Sequence, residues 1–140
     1  MKILVPVDTS DTSRRMLDYL AGHADLLAGD HEYTLFTVLA PQDLPSGSHA
    51  RCASYEDAYR QVAEEILRPA LELAKRRGWV VQTDYVPGTA VPAIVAKAEA
   101  VRADLIMMGT HARSPLGAAV LGSVANGVIS RCSVPTLLIR

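Results

Sequence analysis

Two runs, KILVPVD at residues 2–8 and ADLIMMG at 103–109, constrain this chain more than anything else in it. Each is a short, nearly unbroken apolar segment that stops at a turn-forming residue, Asp8 in one and Gly109 in the other. Such a run has no polar side to offer water, so it reads as a strand buried on both faces. A sheet made of such strands needs a covering layer above and below. The sequence between the runs has to supply both.

It supplies helices. After Asp8, TSDTSRRMLDYLAGHADLLAG puts Met16, Leu17, Leu20, Ala24 and Leu27 on one helical face. Ser10 or Asp11 can cap its start and Gly29 can end it. EYTLFTVLA, residues 32–40, is β-branched and apolar and predicts a second strand. A helix follows from about Tyr55 to Arg77, with Tyr59, Val62, Ile66 and Leu73 on one side and Gly78 at its end. Pro69 inside it predicts a kink. WVVQTDYV, residues 79–86, predicts the third strand, and TAVPAIVAKAEAVR after Pro87-Gly88 the third helix. GSVANGVISRC at 122–132 is a short last helix, and VPTLLIR a fifth strand.

Strands alternating with helices predict a single α/β domain over residues 1–140, Rossmann-like, with a five-stranded parallel sheet covered on both faces. Right-handed crossovers make it doubly wound, with strand order 3-2-1-4-5. Strands one and four then become neighbours where the winding reverses, and ligands in such sheets bind at the carboxyl ends of the strands there. That point is marked by Asp8 and Gly109.

Composition removes several classes of function. The formal net charge of −1 gives no general attraction for nucleic acid or an anionic membrane. No run approaches the ~20 apolar residues of a spanning helix, and the five apolar residues after Lys2 are too few for a signal-peptide core. A soluble, cytoplasmic protein is expected. Cys52 and Cys132 then read as reduced thiols, and His23, His31, His49 and His111 show no metal-ligand spacing. The polar stretch 41–54, PQDLPSGSHARCAS, is either a functional loop such as a lid or disordered.

The stretch GTHARSPLGAAVLGS, residues 109–123, begins at the expected crevice. It leads into a helix start, whose unpaired N–H groups and partial positive charge suit phosphate. Gly122 leaves the main chain open to close approach, Ser123 can cap the helix and offer a hydroxyl, and Arg113 can grip phosphate with parallel hydrogen bonds. There is no G-x-x-x-x-G-K-[ST], and the turn after the first strand, VDTSDTS, lacks the glycines of a dinucleotide fingerprint. Small residues before a helix are also common as plain turns.

The chain resembles the universal stress protein family. ILVPVDTSDTSRRML, DLIMMGTHARSPL, LGSVANGVI and CSVPTLLIR look like that family's blocks, in its order, over nearly all of the chain. Its ATP-binding branch carries G-x2-G-x9-G-[ST]. Gly109, position 112 and Gly122-Ser123 fall at that spacing, with Ala112 where the family has glycine. A methyl group obstructs the site if it needs φ > 0 or very close phosphate approach there; with ordinary backbone angles alanine costs little and still donates its N–H, so the cradle reads as weakened rather than abolished.

The resemblance implies an ATP-binding, homodimeric, nucleotide-responsive stress-regulatory module. Under it, Asp8 accepts hydrogen bonds from ribose hydroxyls or the adenine amine, Pro6 and Val7 line the base pocket, and the Val38 backbone meets adenine. Thr9 belongs to the same set. Met108, Gly109 and Val124 contact ribose and phosphates, while Thr110, Ala112, Arg113, Gly122 and Ser123 hold the phosphate tail. Mg2+ would take phosphate oxygens and water, needing few protein ligands. The last strand, Pro135–Arg140, would pair with a second copy, as a free sheet edge invites.

Plainer readings stand beside these. Asp8 can simply hold the start of the first helix, and Arg113 can be a solvated loop charge. His111 has no carboxylate partner in sequence to orient it, so hydrolysis would be slow or partner-dependent. Tyr55 and Tyr59 read as a packing pair, Cys132 as a helix-end packing residue, and KRRG at 75–78 as cations suiting a helix end. A different class of function is a stress-response interaction protein of the same fold that binds no nucleotide and acts through an unknown protein partner. Ala112 favours that class; Asp8 and Gly122-Ser123 favour the other.

Overall fold

The computed structural model describes residues 1–23, 30–44, 54–110 and 121–140. Within them the chain runs β1 (Lys2–Pro6), α1 (Asp11–Gly22), β2 (Glu32–Leu39), α2 (Tyr55–Arg77), β3 (Val80–Pro87), α3 (Ala90–Val101), β4 (Leu105–Gly109), α4 (Ser123–Ile129) and β5 (Thr136–Ile139). The sheet is parallel throughout, in the expected order β3-β2-β1-β4-β5. β1 pairs with β2 from Lys2 opposite Glu32 to Pro6 opposite Phe36, and with β4 through Ile3 opposite Leu105 and Leu4 opposite Ile106. The Val7 N–H donates to the Phe36 carbonyl at 2.8 Å, carrying the β1–β2 ladder one step past proline.

Alternation along the central strands sends side chains to two cores. Ile3, Val5, Val7, Tyr33, Leu35 and Met107 pack against Met16 and Leu20 of α1 and Leu67, Ala70 and Leu73 of α2. Leu4, Phe36, Ile106 and Met108 pack on the other face against Ile94 and Ala98 of α3 and Ala125 and Val128 of α4. Tyr33 stacks on Trp79, with ring centroids 4.3 Å apart. Cys132 is a free, half-buried thiol that packs against the second core at the end of α4.

Several expectations shift. α1 stops at Gly22 instead of Gly29, because His23 leaves helical geometry at φ −124°, ψ 57° and its N–H caps the Tyr19 carbonyl. Ala24, Leu27 and Gly29 lie outside the described residues, as do Cys52 and the 45–53 part of the polar stretch. The buried stripe of α2 is Ala58, Ala63, Leu67, Ala70, Leu73 and Ala74, with Tyr59, Val62 and Ile66 only half-buried. Alanines let the helix sit close to the sheet, so the larger residues flank the seam. Gly78 ends α2 as expected, at φ 67°. β3 is an edge strand and mostly exposed, Val80 at 67%. β5 forms the opposite edge.

Candidate functional site

The chain leaves β1 toward β2 on one side, while β4 and β5 lie on the other, so the carboxyl ends of β1 and β4 open a crevice of about 200 Å³. Its floor and apolar wall are Pro6, Val7, Phe36, Val38, Met108, Ala90 and Ile94; its rim is Asp8, Ser10, Thr12, Ser13, Thr110 and the segment Leu121–Ala125.

The rim is held by local hydrogen bonds. Ser10 is the N-cap of α1, accepting from the Ser13 N–H at 3.2 Å. It also donates to Asp8: its N–H reaches Oδ1 at 3.0 Å and its hydroxyl reaches the same oxygen. Its hydroxyl lies 2.7 Å from that of Thr12, and the Asp8 N–H donates to the Ser13 hydroxyl at 3.1 Å. Among the described residues Oδ2 of Asp8 has no partner. Asp8 thus secures the start of α1 through Oδ1, the plainer of the two readings weighed from sequence.

Gly109 stands against this same turn. A β-carbon on it would lie 2.3 Å from the Thr12 carbonyl oxygen and 3.1 Å from the Ser13 nitrogen, both main-chain atoms. The end of β4 and the start of α1 can touch only because position 109 has no side chain. Gly122 has a different reason to be glycine: its φ is 82°, a left-handed value that side chains disfavour. It is the N-cap of α4, and Ser123 is the first helical residue, so Ser123 does not cap the helix as its sequence position suggested. The first N–H groups of α4 have no intrahelical acceptor. Thr110 is buried; its N–H donates to the Ile139 carbonyl at 2.9 Å and its hydroxyl to the Leu121 carbonyl.

The match to the universal stress protein family runs over residues 1–140. The chain belongs to that family. A universal stress protein of Methanocaldococcus jannaschii is 29% identical over 99% of this chain and 81% of its own length. The structure of a universal stress protein in complex with cAMP is 26% identical, covers 100% of this chain and 96% of that one, and superposes with a TM-score of 0.66. The universal stress protein of Archaeoglobus fulgidus in complex with dAMP is 26% identical, with 100% and 98% coverage and a TM-score of 0.64.

Of the site residues expected in this universal stress protein, Pro6, Val7, Asp8, Val38, Met108, Gly109, Thr110, Gly122, Ser123 and Val124 come together around the crevice. Thr9 is exposed in the β1–α1 turn and does not line it. Ala112, Arg113 and His111 lie outside the described residues. Sequence reasoning missed Ser10, Thr12 and Ser13 as rim residues, having used that stretch only as a helix start. Phe36 was legible, since it shares a sheet face with Val38 two residues on. Ala90 and Ile94, one turn apart on α3, carry no local signal at all. No group of three His, Cys, Asp or Glu side chains among the described residues is placed to hold a metal, and no helix among them is long and apolar enough to cross a membrane.

Proposed function

We propose that this universal stress protein binds an adenine nucleotide in the crevice between β1 and β4, residues 1–140 acting as one nucleotide-responsive regulatory domain. The observation that carries the reading is the convergence of Asp8, Val38, Met108 and Gly122–Val124, from four separate stretches of chain, on one cavity at the winding reversal of the sheet. The chemistry of the walls fits the ligand in three parts. Val7, Phe36, Val38 and Ile94 offer an apolar slot for the base, Asp8 Oδ2 an acceptor for ribose hydroxyls that has no partner among the described residues, and the Gly122–Val124 main chain N–H donors for phosphate. The cAMP and dAMP complexes of two relatives support the same ligand class here.

The finer reading is ATP, with Ala112 and Arg113 at the phosphate tail and Mg2+ held by phosphate oxygens and water. Asp8 is the one carboxylate on the described rim and already accepts from Ser10, so hydrolysis is at most slow. A cytoplasmic homodimer through Pro135–Arg140 is consistent with β5 standing at a sheet edge. The second reading, an interaction protein that binds no nucleotide, is favoured by the methyl group of Ala112.

Calorimetric titration with ATP, ADP, AMP and cAMP decides between them. Micromolar-range heats that vanish in Gly122→Val, which forces a β-branched residue to φ 82°, support the first reading. Absence of heat with every nucleotide, or Gly122→Val binding like the wild type, refutes it.

A further inference from the structure

β3 pairs with β2 along its whole length, from Val80 opposite Glu32 to Pro87 opposite Leu39, and no strand among the described residues pairs with its other side. A strand edge of this length is a template for another strand. Along it, alternate residues turn their N–H and C=O outward. The Gly88 N–H donates to the Leu39 carbonyl, which puts the even-numbered residues on the β2 side and leaves Val81, Thr83, Tyr85 and Pro87 facing out. That row is short of donors. Pro87 has no N–H. The Tyr85 N–H donates to its neighbour's carboxylate, Asp84 Oδ1, at 2.8 Å. Trp79, just before the strand, has its N–H on the Ala74 carbonyl at 3.0 Å. Among the described residues only Val81 and Thr83 keep an outward donor without a partner.

The carboxylate that takes the Tyr85 proton is itself held. Asp84 Oδ2 accepts from Lys97 Nζ of α3, and that ammonium lies 5.8 Å from the centre of the Phe36 ring. The Lys97 side chain is 21% exposed and that of Asp84 49%, so the pair is partly withdrawn from water. A strand arriving at this edge has to displace the Asp84–Tyr85 contact and bury a charge against main chain, which is costly.

We infer that Asp84 guards the β3 edge against pairing with a second copy of this chain. Without the guard the edge suits itself. Two copies lying antiparallel about Thr83 set Val81 of one opposite Tyr85 of the other, and the three outward N–H groups of each find carbonyls. The guard also bears on assembly through β5: with one edge pairing and the other open, closed pairs would extend into chains. The inference does not depend on the nucleotide reading.

Sedimentation velocity compares the wild type, Asp84→Val and Gln82→Val. Both substitutions put the same apolar side chain on the same face of β3, but only Asp84→Val frees the Tyr85 N–H. Asp84→Val should form a species heavier than the wild type, associating at least about tenfold more tightly, the scale of one hydrogen bond to a charged group. Gln82→Val should sediment as the wild type. Adding Thr83→Pro to Asp84→Val should restore the wild-type mass, since it removes the central outward donor and no bond to β2. An Asp84→Val protein that sediments like the wild type, a Gln82→Val protein that assembles as far, or assembly that survives Thr83→Pro overturns the inference. If Asp84→Val does not fold, amide hydrogen exchange in the wild type takes its place. The Tyr85 amide should be protected at least about tenfold over that of Thr83, and equal protection refutes the guard.

Discussion

Replacing Gly109 with alanine tests how the site is built. The new methyl would meet the Thr12 carbonyl oxygen at 2.3 Å, and β-carbons keep at least 3.0 Å from such an atom, so the two main chains must part by about 0.7 Å. No rotamer can absorb this, because the three atoms nearest the new methyl are all backbone. The displaced element is the first turn of α1, pinned from below by Met16 and Leu20 and from above by the Asp8–Ser10–Ser13 hydrogen bonds. Overpacking of this kind costs ~1–3 kcal/mol, and for a chain of this size each kcal/mol lowers Tm by roughly 3–4 °C. Gly22→Ala is the control: among the described residues nothing lies within 4 Å of its β-carbon, and alanine is the better helix former, so stability should hold or rise slightly. Urea denaturation of both variants, with unchanged m-values, gives the comparison. A Gly109→Ala protein within about 0.5 kcal/mol of wild type would show that β4 and α1 do not touch as described.

Two other perturbations test the core. The Thr37 hydroxyl oxygen is buried without a hydrogen-bond partner among the described residues, so Thr37→Val should stabilise the fold by ~1 kcal/mol, read from the urea midpoint; a loss of stability would mean the hydroxyl has a partner. Burial raises the Tyr33 phenol above its ordinary value of 10.0. Below that pH both states are protonated and stability is unaffected; above it the unfolded chain ionises first, so stability falls as pH rises past 10. Tyr33→Phe should remove that part of the alkaline loss, and wild-type tyrosinate absorbance should show one phenol titrating late.

The fold was legible because its signals are local and repeated. Apolar runs closed by Asp8 and Gly109, helices closed by Gly78, and strict alternation fix a parallel order before any contact is known. Where the reading slipped, a small or polar residue was doing something tertiary. The seam of α2 went to Ala63, Ala70 and Ala74, which hydrophobic size ranks low but close packing favours. α1 ended a turn and more early because Gly22 and His23 break the helix before the apolar pattern fades.

The site divides along the same line. Asp8, Gly109 and Gly122 can be found from topology and spacing, since the winding reversal names the place and the residues are those a tight approach demands. Their reasons cannot be found that way. Gly109 reads from sequence as the turn residue that ends a strand, yet the atoms nearest a β-carbon there belong to α1, so its missing side chain serves contact between strand and helix. Gly122 is held to glycine by the sign of φ, and Thr110, which a motif would hand to the phosphate, has given its proton to Leu121. A substitution at Gly109 therefore reaches the crevice indirectly: it moves Thr12 and Ser13, and through Ser10 it loosens the one carboxylate on the described rim. Lost affinity in Gly109→Ala should accordingly track lost stability, whereas in Gly122→Val it should exceed what the stability change accounts for.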